Sequence, residues 1–254
     1  MWKVIGQSII GTSHIASGKF CEDAVKYAIL NEGSDDEMLV CCVADGAGSA
    51  SHAQWAASYA AHKVIEFATL QLSHAEELTE SLIYALAEDI YDGLQQEADA
   101  NGVALNEYSC TLLGCIATSE QTAFFQVGDG AIVRDDGSGF YTTVWWPENG
   151  EYQNSTSFLI DDSSFSNLNV AIIYEQLNEI AIFTDGLQLL TLNTESRAVH
   201  QPFFSDLFGY LRQATDSGKI TVLNRKLAEY LSSPNINNRT DDDKTLFLAT
   251  RLPL

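Results

Sequence analysis

An α+β fold, with antiparallel sheets covered on their faces by helices, is the class the sequence predicts. Three observations predict it. Short apolar runs rich in Val, Ile, Phe and Tyr recur along the chain, bounded by Gly, Asp and Asn. Two long amphipathic patterns separate the early runs from the later ones. Several runs are joined by connections too short for a crossover helix, which implies antiparallel pairing. No repeat, linker or low-complexity tract divides the chain, so residues 1–254 read as one domain.

Strand signals come first, in "WKVIGQSII", "VKYAIL" and "MLVCCVA". A helix is expected over 51–72, opened by a capping box of Ser51 with Gln54. A second is expected over 75–100, with Ser73 and Glu76 repeating that signal. Its Leu78, Leu82, Leu86, Ile90 and Leu94 recur every fourth residue, beside Ile83 and Tyr91, and define one buried face. Asn101-Gly102 ends it. Four strands with tight turns follow, in "CTLLGCIAT", "TAFFQVGDG", "AIVRDDGSG" and "FYTTVWW". The polar stretch 147–169 reads as a functional loop, with Tyr152 in a substrate flap. Strands resume in "LNVAIIYE" and "NEIAIFTDG", helices span 201–215 and 219–231, and "KTLFLATRL" is the last strand.

The formal net charge is −22, from 35 Asp and Glu against 13 Lys and Arg. Such a surface repels nucleic-acid phosphates and anionic membranes, so neither is an expected partner. It also disfavours anionic substrates unless positive charge is supplied locally, as bound metal ions would do. The five cysteines include no CxxC pair and read as small core hydrophobes of a reducing compartment. The N-terminus is no signal peptide, and no apolar run approaches the roughly 20 residues of a membrane span. A soluble, cytoplasmic protein is the expectation.

Asp-Gly, a common turn dipeptide, occurs at Asp45, Asp92, Asp129, Asp136 and Asp185. Asp45, Asp129 and Asp185 differ from the others because each closes an apolar strand. Two further acidic clusters open strands: Glu22-Asp23 and the triple ending at Asp243. In antiparallel sheets one strand's end lies beside its neighbour's start, so all these carboxylates are expected along one edge. Like charges about 4 Å apart repel by about 4 kcal/mol at an effective dielectric of about 20, which divalent cations would relieve. An all-oxygen donor set selects Mg²⁺ or Mn²⁺ over zinc or copper. Two such ions, about 3.5–4 Å apart, can activate a water and clamp a phosphoryl group. The residues thus point to metal-assisted phosphate hydrolysis.

In order, "CEDA", "VADGAGS", "CTLLGCI", "VGDG", "FTDG" and "DDKT" resemble the motifs of the metal-dependent protein phosphatases, the PPM or type 2C family, in its compact bacterial branch. The match spans residues 11–248. The resemblance implies two packed antiparallel sheets flanked by helices, an α-β-β-α sandwich with a metal cleft at one end. It implies that Asp45 bridges two Mn²⁺ or Mg²⁺ ions and that the Gly46 carbonyl binds one. Asp185 and Asp242 complete the second ion's shell, Glu22 and Asp23 hold metal-bound waters, and Asp129 joins Asp185 at a third ion. A metal-bridging water would attack phosphoserine or phosphothreonine directly, on a protein substrate phosphorylated by a cognate kinase. Three positions depart from the family pattern. Gly18 stands where an Arg often grips phosphate, leaving His14 or Lys19 to do so. Asp243 replaces an Asn, and Thr184 replaces a Ser. The missing Arg keeps a second expectation open, a pseudophosphatase that binds phosphoprotein without turnover.

Overall fold

A computed structural model describes residues 1–72, 77–147, 156–163 and 165–252. Strand β1 (Lys3–Ile9) leads through the short helix α1 (Thr12–Ser17) to β2 (Asp23–Leu30) and β3 (Met38–Asp45). Helices α2 (Ala53–Phe67) and α3 (Glu80–Asn101) follow, then β4 (Leu112–Ala117), β5 (Thr122–Val127), β6 (Ala131–Asp135), β7 (Tyr141–Thr143), β8 (Asn169–Ile173) and β9 (Glu179–Phe183). The chain continues as α4 (Gln188–Thr191), the small hairpin β10 (Leu192–Asn193) and β11 (Ala198–Val199), α5 (Gln201–Arg212), α6 (Ser217–Leu231), α7 (Pro234–Asn237) and β12 (Lys244–Thr250). The expected α+β class, with antiparallel sheets and flanking helices, is what the chain forms.

Two compact units emerge, neither continuous in sequence. One comprises Met1–Cys21, Gly130–Trp146 and Leu177–Leu254; the other comprises Glu22–Asp129 and Pro147–Gln176. Each contains one five-stranded antiparallel sheet, in the orders β1-β12-β9-β6-β7 and β2-β3-β4-β5-β8. In the second unit, Val40, Cys42 and Ala44 of β3 share a buried core with Ala56, Ala57, Ala60 and Val64 of α2. Small side chains on both elements let helix and sheet approach closely. Leu86, Ile90 and Leu94 of α3 join that core, as the fourfold spacing requires. In the first unit, Phe204, Phe208, Leu227 and Leu231 of α5 and α6 cover Phe183, Leu246 and Leu248 of the sheet.

Several boundaries differ from the sequence expectation. Helix α2 starts at Ala53 and has no side-chain cap, so the Ser51–Gln54 capping box does not form. Glu107 replaces it: its carboxylate accepts the Ser51 N–H at 2.8 Å and its carbonyl the His52 N–H at 2.9 Å. Those bonds from Ser51 hold the Glu107 carboxyl below the usual range. Helix α3 starts at Glu80, with the Thr79 hydroxyl accepting the Leu82 N–H, rather than near residue 75; Ser73 and Glu76 lie outside the described residues. Gly102, left-handed at φ 66°, ends it as expected.

The connection Gly128-Asp129-Gly130 is not a hairpin. β5 pairs with β4 and β8, whereas β6 pairs with β7 and β9, so this tripeptide passes the chain from one sheet to the other. Gly128, at φ 115°, takes a conformation that suits only glycine. Tyr152 and its neighbours in the expected flap lie outside the described residues. The later part of that segment is anchored: Leu159, Phe165 and Leu168 are buried in the core, and the Leu159 N–H donates to the Cys110 carbonyl at 3.1 Å.

Candidate metal centre

In the second unit the acidic residues gather at one end of the sheet. β2 and β3 pair so that Asp23 lies directly opposite Asp45. Two facing carboxylates at a strand end are unfavourable unless a cation lies between or beside them. The Gly46 N–H donates to the Glu22 carbonyl at 3.1 Å, which fixes Glu22 beside the same end. Glycine is required at position 46, because a Cβ there would lie 2.5 Å from the Ala53 carbonyl oxygen at the start of α2.

Thr111 locks Asp45 in place. Its hydroxyl accepts the Asp45 N–H at 2.9 Å, and its own N–H donates to the Asp45 carbonyl at 2.8 Å. Thr111 is 1% exposed. Its methyl packs over Gly128, where a Cβ would come within 2.5 Å of it. Asp129 follows at the end of β5, and its carboxylate accepts the Thr156 hydroxyl at 2.6 Å. Thr111 therefore links the backbone of Asp45 to the turn that carries Asp129. Burial first, and then the Asp45 charge, push the adjacent Cys110 thiol up to about 12.

The first unit gathers a second acidic set where β9 ends and β12 begins. Phe183 pairs with Leu246, and beyond that pair Thr184 and Thr245 exchange two bonds. The Thr184 N–H reaches the Thr245 carbonyl at 3.3 Å, and the Thr245 N–H reaches the Thr184 hydroxyl at 3.1 Å. Thr184 thus welds the strand ends that carry Asp185 and Asp242. Gly186 lies so close to them that a Cβ would be 2.0 Å from the Asp243 carbonyl oxygen and 3.5 Å from the Asp242 Cβ. Asp242 is exposed and accepts the Asp243 N–H at 2.8 Å.

Asp243 faces inward instead. It is 3% exposed, accepts the Gly11 N–H at 2.6 Å and bonds His14 Nδ1 at 2.9 Å. A carboxylate in the family's Asn position therefore serves as the anchor of His14. Gly18 caps α1 in the left-handed region at φ 71° and is exposed. Lys19 is also exposed, with its N–H on the His14 carbonyl at 2.9 Å.

The candidate carboxylates are carried by both sheets. Glu22, Asp23, Asp45 and Asp129 share one sheet end, and Asp185 and Asp242 share another. Within either unit, no three His, Cys, Asp or Glu side chains among the described residues are drawn together as a ligand set. The donors present are carboxylates and a glycine carbonyl, all oxygen, and they fit a hard divalent ion. Sequence reasoning missed the roles of Thr111, Thr184 and Asp243. The available signal was position: each lies at a strand end, next to or across from a candidate ligand.

Strand-end carboxylates borne on two antiparallel sheets are the arrangement that the sequence motifs lead one to expect. The model of the family described as Protein phosphatase 2C matches residues 10–232, and the chain belongs to that family. A curated relative, Serine/threonine-protein phosphatase 3 of Escherichia coli, is 36% identical over 249 residues, covering 98% of both chains. Among solved structures, a bacterial serine phosphatase superposes with a TM-score of 0.65 at 13% identity, covering 100% of this chain and 99% of its own. RsbX, solved in complex with magnesium, superposes with a TM-score of 0.53 at 17% identity, covering 98% and 94%.

Proposed function

We propose that this protein hydrolyses phosphoserine and phosphothreonine in protein substrates, using Mn²⁺ or Mg²⁺, and that its two units act as one catalytic domain. The observation that carries the reading is the grouping of the family's acidic motifs at one sheet end in each unit, with Asp23 opposite Asp45 and Gly186 packed on Asp242-Asp243.

Asp45 and the Gly46 carbonyl would hold two ions together with Asp185 and Asp242. Glu22 and Asp23 would orient waters around them, and Asp129 with Asp185 would take a third ion. Ions held there would supply an activated bridging water for direct attack on phosphorus and would neutralise charge on the phosphoryl oxygens. His14, held by the buried Asp243, and Lys19 would grip the phosphate in place of the absent Arg. The magnesium of the RsbX structure supports a hard divalent ion. The substrate would be a phosphoprotein paired with a cognate Ser/Thr kinase, and a reducing cytoplasm suits five thiols.

Purified protein with Mn²⁺ should hydrolyse p-nitrophenyl phosphate, and Asp45→Asn should abolish it. Full activity in Asp45→Asn would refute the mechanism. Gly18 favours a second reading, a scaffold that binds phosphoprotein without turnover. Calorimetry with Mn²⁺ and a phosphopeptide separates the two, because binding without phosphate release is the scaffold's signature.

A further inference from the structure

The first unit carries a cleft remote in chemistry from the carboxylates. It has a volume of about 1060 Å³. Its floor is Ile5 of β1, with Leu211 of α5, Leu227 of α6 and Ile236 of α7, all buried. Phe203 and Tyr230 stand at its walls, with ring centroids 6.4 Å apart. Sites for small molecules run from about 300 to 1,000 Å³ and are mostly apolar with a few convergent polar groups. This cleft has that size and that lining. The cleft is open to solvent on one side, and its floor reaches the buried residues of one strand and three helices.

Its charge is the reverse of the protein's. Lys226 and Arg239 line it, against one carboxylate among the described residues, Asp206. The chain as a whole carries −22. Both cations are exposed, so they mark where a charged head would sit while an apolar body lies against the leucines. We propose that this cleft binds a small organic anion with an apolar body. Arg239 lies three residues before Asp242 in sequence, so an occupied cleft abuts the segment that delivers a candidate metal ligand. The inference does not depend on phosphatase activity.

The probe is 1-anilinonaphthalene-8-sulfonate, compared with N-phenyl-1-naphthylamine, which has the same apolar body and no charge. Fluorescence titration of the intact protein should give one saturable site for the anion and weaker binding of the neutral dye. The exposed double variant Lys226→Glu/Arg239→Glu should weaken the anion about tenfold, as the loss of two partly solvated charge contacts predicts, and leave the neutral dye unchanged. Unchanged melting and far-UV circular dichroism in the variant would confirm that only the site changed. Equal binding of the two dyes, no effect of the double variant, or no saturable site would overturn the proposal. So would a dimer by light scattering that excludes the dye, since a second copy would then fill the cleft.

Discussion

Thr111→Val tests the arrangement at its least obvious point. Valine keeps the shape of threonine but removes the oxygen that accepts the Asp45 N–H at 2.9 Å. Thr111 is 1% exposed, so water does not easily replace that acceptor. Loss of the bond should cost about 1–2 kcal/mol. At about 2–4 °C per kcal/mol for a domain of this size, the metal-free protein should melt about 2–8 °C lower. Thr111→Ser is the control. It keeps the hydroxyl and drops the methyl over Gly128, a loss of about 1 kcal/mol for one buried carbon. Both variants lose stability and both keep the Thr111 N–H bond to the Asp45 carbonyl, but only valine leaves the Asp45 N–H without its acceptor. Melting scans across a Mn²⁺ titration convert stabilisation into affinity through the ligand-linkage relation. Thr111→Val should bind Mn²⁺ about tenfold more weakly, about 1.4 kcal/mol, while Thr111→Ser should stay within about twofold of the parent. Equal weakening in the two variants, or none in Thr111→Val, refutes the claim that this hydroxyl positions Asp45.

Three other outcomes follow from the same geometry. Asp243→Asn should lower kcat/KM for a phosphopeptide by roughly 5–10-fold, because it replaces a charged acceptor of His14, whose bond is worth about 1.5–3 kcal/mol, with a neutral amide worth about 0.5–1.5 kcal/mol; steady-state kinetics check this, and parent-like values would deny His14 its anchor. Gly186→Ala should destabilise by roughly 2 kcal/mol or more in urea unfolding, since its Cβ would meet a backbone carbonyl at 2.0 Å that cannot swing aside. Stability should fall as pH rises above about 8.5, because burial raises the thiols of Cys41, Cys42, Cys110 and Cys115 in the folded chain. The sign follows from protons bound: above that pH the unfolded chain has lost thiol protons that the folded chain retains. Urea unfolding from pH 7 to 10 measures the slope, and a thiol reagent should label only the half-buried Cys21 in the native protein.

What is legible in the chain's residue order is mainly periodic. The fourfold leucine spacing of α3, the alternating apolar runs and the Asp-Gly strand ends each carry a local physical signature; Leu82 to Leu94 lie in α3, whereas Leu78 precedes its first residue. Helix starts are less legible. The caps of α2 and α3 depend on what lies nearby in space, and Glu107, distant in sequence, takes the role that Ser51 and Gln54 suggested. A turn dipeptide likewise says nothing about which sheet its strands join. Gly128-Asp129-Gly130 has the composition of a hairpin and serves as a crossing between sheets.

The same division runs through the candidate centre. Which side chains could ligate a hard ion follows from the sequence alone, because residue type sets donor chemistry and an apolar run ending in Asp-Gly delivers a carboxylate to a strand end. The pairing of Asp23 with Asp45, the inward turn of Asp243 toward His14, and the backbone locks made by Thr111 and Thr184 belong instead to the folded chain. Those depend on register between strands remote in the chain. A one-residue slip between β2 and β3 would move Asp23 from opposite Asp45 and turn it to the other face, and no local pattern records which register wins.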